Sequence, residues 1–356
     1  MNRLFFAGVL LLLGSCGTSA GKYEPREISG IEVTPLLEDS MSVRALEIAP
    51  GGTLWFADDR GRFGYFDHRD RVVMDSVTYD TVVPHFRAVA SNGDHIFLLS
   101  IGSPALLYKT NHKLETTLVY RETDPAAFYD SMKFWNGEEG IAMGDPVEEG
   151  CLSVLITRNG GDSWSKVPCE LLPQVAKGEA AFAASNTNIA ISGDRTWIVT
   201  GGTRSRVFYS PDKGRSWKVY DVPVVQGEPT LGMYSVDFWD KDHGYAIGGD
   251  YTRPQYRTAN KARTGDGGKT WQLVASNRAP GYRSCVQYVP GRQGRELVAA
   301  GFEGVAFSAD GGEHWKQLSD EGFYTVRFLN DSTAYAAGKG RVSRILLRKK
   351  DGISGK

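Results

Sequence analysis

The sequence predicts an all-β chain folded as a single β-propeller, with seven four-stranded blades in a ring. Three observations carry that prediction. A short motif with a turn-forming Gly and a Trp recurs four times, at Thr157–Trp164, Ser210–Trp217, Thr264–Trp271 and Ser308–Trp315. Strand-like segments recur around it at intervals of roughly forty to fifty residues, a period that marks repeat architectures. The composition (42 Gly, 11% aromatic, 41% hydrophobic) suits many short strands joined by tight turns.

The elements follow in chain order. Arg3 precedes an apolar run from Leu4 to Leu13, of signal-peptide length and too short to span a bilayer. The run ends in Leu13-Gly14-Ser15-Cys16, which resembles the lipobox of bacterial lipoproteins. That resemblance implies a signal peptide at 1–15 and a mature chain held to the bilayer by an acyl anchor on Cys16. Gly17, rather than Asp, follows the Cys, which in a Gram-negative cell implies the outer membrane, on its periplasmic or surface face. Residues 16–27 then read as a lipidated N-terminus and flexible tether, 28–350 as the propeller and 351–356 as a tail.

Within the propeller, inner strands are expected near 43–49, 86–91, 131–135, 181–185, 233–239, 284–290 and 324–329. Each is followed by a second strand, as at Leu54–Asp58, Ile96–Ser100 and Leu297–Phe302. The last unit runs out after its third strand, at Arg348, and an unassigned strand-like stretch, Ile28–Leu36, precedes the first. Pairing these two closes the ring and removes two open sheet edges.

The four motifs read [ST]-x-[DN]-x-G-x-x-W and resemble the Asp-box (BNR repeat) of sialidases, other glycosidases and sortilin-type receptors. With the surrounding Y-x-V-x-F and G-Y-A-x-G segments, the chain most resembles the photosystem II assembly-factor propellers and their bacterial lipoprotein relatives. In such a motif the roles are structural. Asn159, Asp212, Asp266 and Asp310 accept hydrogen bonds from turn N–H groups, and Trp164, Trp217, Trp271 and Trp315 pack between sheets.

Charge and spacing exclude other classes. Lys+Arg 41 against Asp+Glu 42 gives no basic surplus for a nucleic-acid partner. The six His show no ligand spacing, so no metal site is expected, and no cofactor fingerprint occurs. Beyond Cys16, folding a hairpin near residue 160 sets Cys151 almost opposite Cys169, within disulfide reach, and leaves Cys285 free.

The strand order puts the motif turns on one face and the channel mouth on the other. At that mouth the sequence offers Arg44, Arg87, Asp130, Tyr234, Arg283 and Tyr324 from inner-strand entries. Asp59, Asp145, Arg204 and Asp250 come from the loops between the second and third strands. The resemblance implies a non-catalytic binding or assembly protein whose mouth takes a protein or glycan ligand. The alternative is a glycoside hydrolase of the sialidase-like class, with Arg44, Arg87, Arg283 and Tyr324 imitating its substrate-binding set. The Phe/Tyr-Arg-Ile-Pro motif of that class is absent.

Overall fold

The computed structural model describes residues 23–147 and 150–350. Cys16, the signal segment and the 351–356 tail lie outside the described residues. No helix of the described residues is long and apolar enough to cross a membrane. The chain is a single all-β propeller of short antiparallel strands packed around a central axis.

Counted by hydrogen bonding, the blades number six rather than the seven expected: four sheets of four strands and two of six. The correction has a physical origin in two long strands, Ile28–Ile48 and Thr333–Lys349. Residues 28–38 of the first pair with 341–349 of the second, which joins the last unit to the first. The resulting sheet runs Thr325–Phe328, Thr333–Lys349, Ile28–Ile48, Leu54–Asp58, Arg62–Phe66, Val72–Ser76. Its two halves also pack face to face, Tyr335, Ala337 and Val342 meeting Val43, Leu46 and Phe56. The segment 23–27, the end of the stretch read as a tether, is bound to the body. Arg26 Nε donates to the buried Glu296 carboxylate at 2.9 Å, and Arg292 donates to the Glu24 carbonyl at 2.7 Å.

Between neighbouring sheets the core is aliphatic and aromatic. Trp197 stacks on Phe238 with centroids 3.7 Å apart, and Trp271 meets the same Phe238 edge-on at 6.0 Å. Each repeated turn is stapled alike. In the third copy, Asp266 Oδ1 accepts the N–H groups of Lys269 and Thr270, and Thr264 Oγ1 accepts that of Gly268. Ser210 and Asp212, and Ser308 and Asp310, repeat the pattern, as do Thr157 and Asn159 in the neutral first copy. The turn glycine is obligatory at Gly268: its φ is +82°, and a Cβ would strike the Trp197 indole at 2.8 Å. Cys151 and Cys169 are disulfide-bonded across their hairpin, Cα to Cα 5.7 Å, and Cys285 is a buried free thiol.

One expected strand is absent. The segment 181–185 is irregular, and the inner strand of its sheet lies further on, at Ile189–Ser192. Residues 181–188 instead enter the central channel as a plug.

Candidate functional site: a plugged channel mouth

The plug, Ala181-Phe-Ala-Ala-Ser-Asn-Thr-Asn188, exposes backbone polar groups to the innermost strands, and those strands satisfy them. Asn186 is buried in the left-handed conformation at φ 58°. Its Nδ2 donates to Val89 O at 2.7 Å, and its Oδ1 accepts the Met132 N–H at 2.9 Å. Ser185 Oγ donates to Ser284 O at 2.6 Å, while the Ser185 carbonyl accepts from Thr325 Oγ1 and Arg327 Nη2 at 3.0 and 3.1 Å. Thr187 O accepts the Val236 N–H at 2.9 Å. One short segment thus ties together most of the ring, and buried polar groups are seldom left without such partners.

Above the plug sit two arginines. Arg87 Nη1 donates to Ala183 O at 2.6 Å and its Nε to His85 Nε2 at 2.8 Å. Arg44 Nη1 reaches Ala184 O at 3.4 Å, and its guanidinium lies 3.9 Å over the Tyr324 ring. Carbonyls, a ring face and a neutral imidazole are therefore their partners, and among the described residues neither has a carboxylate in ion-pair contact. Burial and then the Arg44 charge pull the Arg87 pKa down to about 10. Burial, followed by the Arg87 charge, takes His85 down to about 4, so His85 is neutral at pH 7 and accepts from Arg87.

Two neighbouring carboxyls, Asp130 and Asp145, lie at the mouth, and the Arg87 charge acts on Asp130. Asp130 is fully buried, and among the described residues neither of its oxygens has a hydrogen-bond partner. Burial and the neighbouring Asp145 push its pKa well above the usual carboxylate range, against the opposing pull of Arg87. Asp145 is raised to about 6 by burial, although its Oδ1 accepts the Ala181 N–H at 2.8 Å. Asp145 thereby holds the start of the plug.

An aromatic shelf completes the mouth. Phe182, from the plug, stacks on Tyr234 at 3.9 Å, and Tyr282 meets Tyr234 edge-on at 4.8 Å. Phe302 packs on Tyr282 at 5.2 Å, and Tyr251 on the rim is 49% exposed. Tyr234 is fixed further by donating to Thr230 O at 2.8 Å.

No family model and no curated protein matches this chain. Solved structures of similar shape do exist. YCF48 bound to a D1 peptide matches with a TM-score of 0.62 at 12% identity, over 91% of this chain and 100% of that one. YCF48 from Cyanidioschyzon merolae matches with a TM-score of 0.62 at 13% identity, over 89% of this chain and 98% of that one. The Niastella koreensis GH74 enzyme matches with a TM-score of 0.58 at 15% identity, over 90% of this chain but only 44% of that one. At these identities the likeness establishes the β-propeller fold.

The structure gathers part of the residue set expected at the mouth. Arg44, Arg87, Tyr324, Asp130, Asp145 and Tyr234 lie around the plug. Asp59 accepts the Ser42 N–H at 2.8 Å beside them. Arg283 does not join the other arginines: it is 3% exposed, with Nη1 on Tyr282 O and Nη2 on Gln317 Oε1. Of the three arginines expected together at the mouth, Arg44 and Arg87 stand over the plug, while the Arg283 guanidinium is bonded within its own sheet to Tyr282 and Gln317. Arg204 is paired with Asp221 at 2.7 Å on the exposed rim, and Asp250 with Arg253 at 2.6 Å. The sequence reading missed the plug, His85 and Phe182. The run Ser185-Asn186-Thr187-Asn188, four polar residues at and just after the end of the expected inner strand, was the available signal.

Proposed function

We propose that this protein is a cell-envelope lipoprotein whose propeller, of the Asp-box type, is a non-catalytic binding and assembly module for a protein segment. One observation carries the reading: Arg44 and Arg87 stand side by side above the plug, and among the described residues neither has a carboxylate in ion-pair contact. Guanidinium pairs best with carboxylate, so the fitting partner is an extended segment with acidic side chains or a free C-terminal carboxylate. Its apolar side chains would lie on the shelf of Phe182, Tyr251 and Phe302. A YCF48 structure of the same fold holds a D1 peptide, which supports a peptide over a glycan. The docking of residues 23–27 against Glu296, on the side of the repeated turns, supports a mouth facing away from a bilayer that holds Cys16.

The glycoside hydrolase alternative has less support. Asp59 and Asp145 each accept a backbone N–H, and Asp130 is buried out of a substrate's reach.

The test is a titration with acidic octapeptides, each with a free or an amidated C-terminus, beside a pull-down from the native envelope. Wild type should bind the free-acid peptides, with affinity falling as salt rises. Arg87→Ala and Arg44→Ala should each weaken binding about tenfold or more, with little change in Tm. Equal binding by both variants, or turnover of a glycoside substrate by the purified protein, overturns the reading.

A further inference from the structure

On the face opposite the mouth, a groove of about 560 Å³ runs between the turns of two neighbouring sheets. Trp239 lines it, 43% exposed just after the strand Leu231–Phe238. The indole lies flat on backbone: a Cβ built at Gly294 would meet three of its ring atoms at 2.8 to 3.0 Å. One part of the ring is therefore backed by backbone, the His243 ring lies 6.0 Å away tilted at 54°, and the exposed remainder of the indole lines the groove.

Beside the indole stand three polar residues without a side-chain hydrogen bond among the described residues: the Gln272 amide, the Arg295 guanidinium and the Tyr288 hydroxyl line the groove. The charged side chains nearby are committed elsewhere. Arg263 pairs with Glu313 at 2.7 Å, and His243 with Asp240 at 2.9 Å. The Asp266 and Asp310 carboxylates staple their own turns. Among the described residues, what remains is an aromatic platform beside an amide, a phenol and a guanidinium that make no side-chain hydrogen bond.

We infer that this groove is a saccharide-binding site, with Trp239 as the stacking platform for one sugar ring. A pyranose ring presents an apolar C–H face and an equatorial rim of hydroxyls, which matches an indole flanked by an amide, a phenol and a guanidinium. A peptide strand would instead seek an open sheet edge for its backbone, and here the groove is walled by closed turns. The site is separate from the arginine mouth, so the two readings stand or fall independently.

Saturation-transfer NMR and calorimetry with cellohexaose, xylohexaose, chitohexaose and hexagalacturonate test the inference on the whole protein. At least one hexasaccharide should bind. Trp239→Ala should weaken it tenfold or more at unchanged Tm, Trp239→Phe should retain part of the affinity, and Arg87→Ala should leave it untouched. The inference is overturned if none of the four binds, if binding survives Trp239→Ala, or if it is lost in Arg87→Ala. A proline-rich peptide that binds through Trp239 in place of the sugars also overturns it.

Discussion

Asp130 is a residue whose environment opposes its charge. It is fully buried, its oxygens have no donor among the described residues, and Asp145 stands beside it. Both carboxyls titrate above the ordinary Asp value near ~3.9, Asp145 at about 6. A group whose folded pKa is raised binds its proton more tightly in the folded state. Its contribution is thus favourable at low pH and is lost as pH climbs from ~4 through the folded pKa. Replacing Asp130 with Asn, a neutral isostere, removes the mutual repulsion. Asp130→Asn should therefore raise Tm by a few degrees at pH 7.5, on the order of 1–3 kcal/mol, and converge on wild type near pH 4. Thermal melts across that range check the claim. A variant less stable than wild type at pH 7.5 would show that Arg87 already neutralises the charge.

At the level of the element, the repeated turns show the close link between motif and geometry. An Asp two residues after a Ser or Thr closes the turn by accepting N–H groups three and four residues on, and the hydroxyl accepts that of the Gly. Asp266→Ala strips two backbone donors of their acceptor, a loss of about 1–3 kcal/mol. It should lower Tm while the surviving folded protein binds mouth ligands normally, as titration at a temperature well below the transition will show. Loss of mouth binding at unchanged Tm would assign the turn a role beyond stapling. These turns were legible in sequence because the hydrogen bonds that staple them all lie within eight residues. The plug was not, because Ala181-Phe-Ala-Ala has the alternation and small residues of an inner strand. Apart from the polar run Ser185–Asn188, its partners reveal it, and they lie as far off as Val89 and Thr325. For the same reason Arg283 looked equivalent to Arg44 and Arg87: strand position was readable, but the Gln317 that captures its guanidinium was not.

The whole molecule depends on a pairing between its first and last described strands. Residues 28–38 cover 341–349 in antiparallel register, and Arg26, bound to Glu296 and Asp331, fastens the approach. The ring closure expected from the missing last strand thus involves residues more than 300 positions apart, and it also explains the blade count, since the same two strands fuse the last unit to the first. Without residues 1–38, the strand 341–349 would present a row of free N–H and C=O groups, and Ile345 and Leu347 would lose the cover that Ile31 and Val33 help to provide. A chain starting at Asp39 should melt well below one starting at Tyr23, by ten degrees or more. It should also self-associate, because an open edge is a template for another copy. Adding a peptide of residues 23–38 should recover much of the lost Tm and return the protein to monomer, as light scattering and thermal melts will report. If the Asp39 chain instead matches the Tyr23 chain in both measurements, the strand is ornament rather than closure, and the ring is held by the packing of its blades alone.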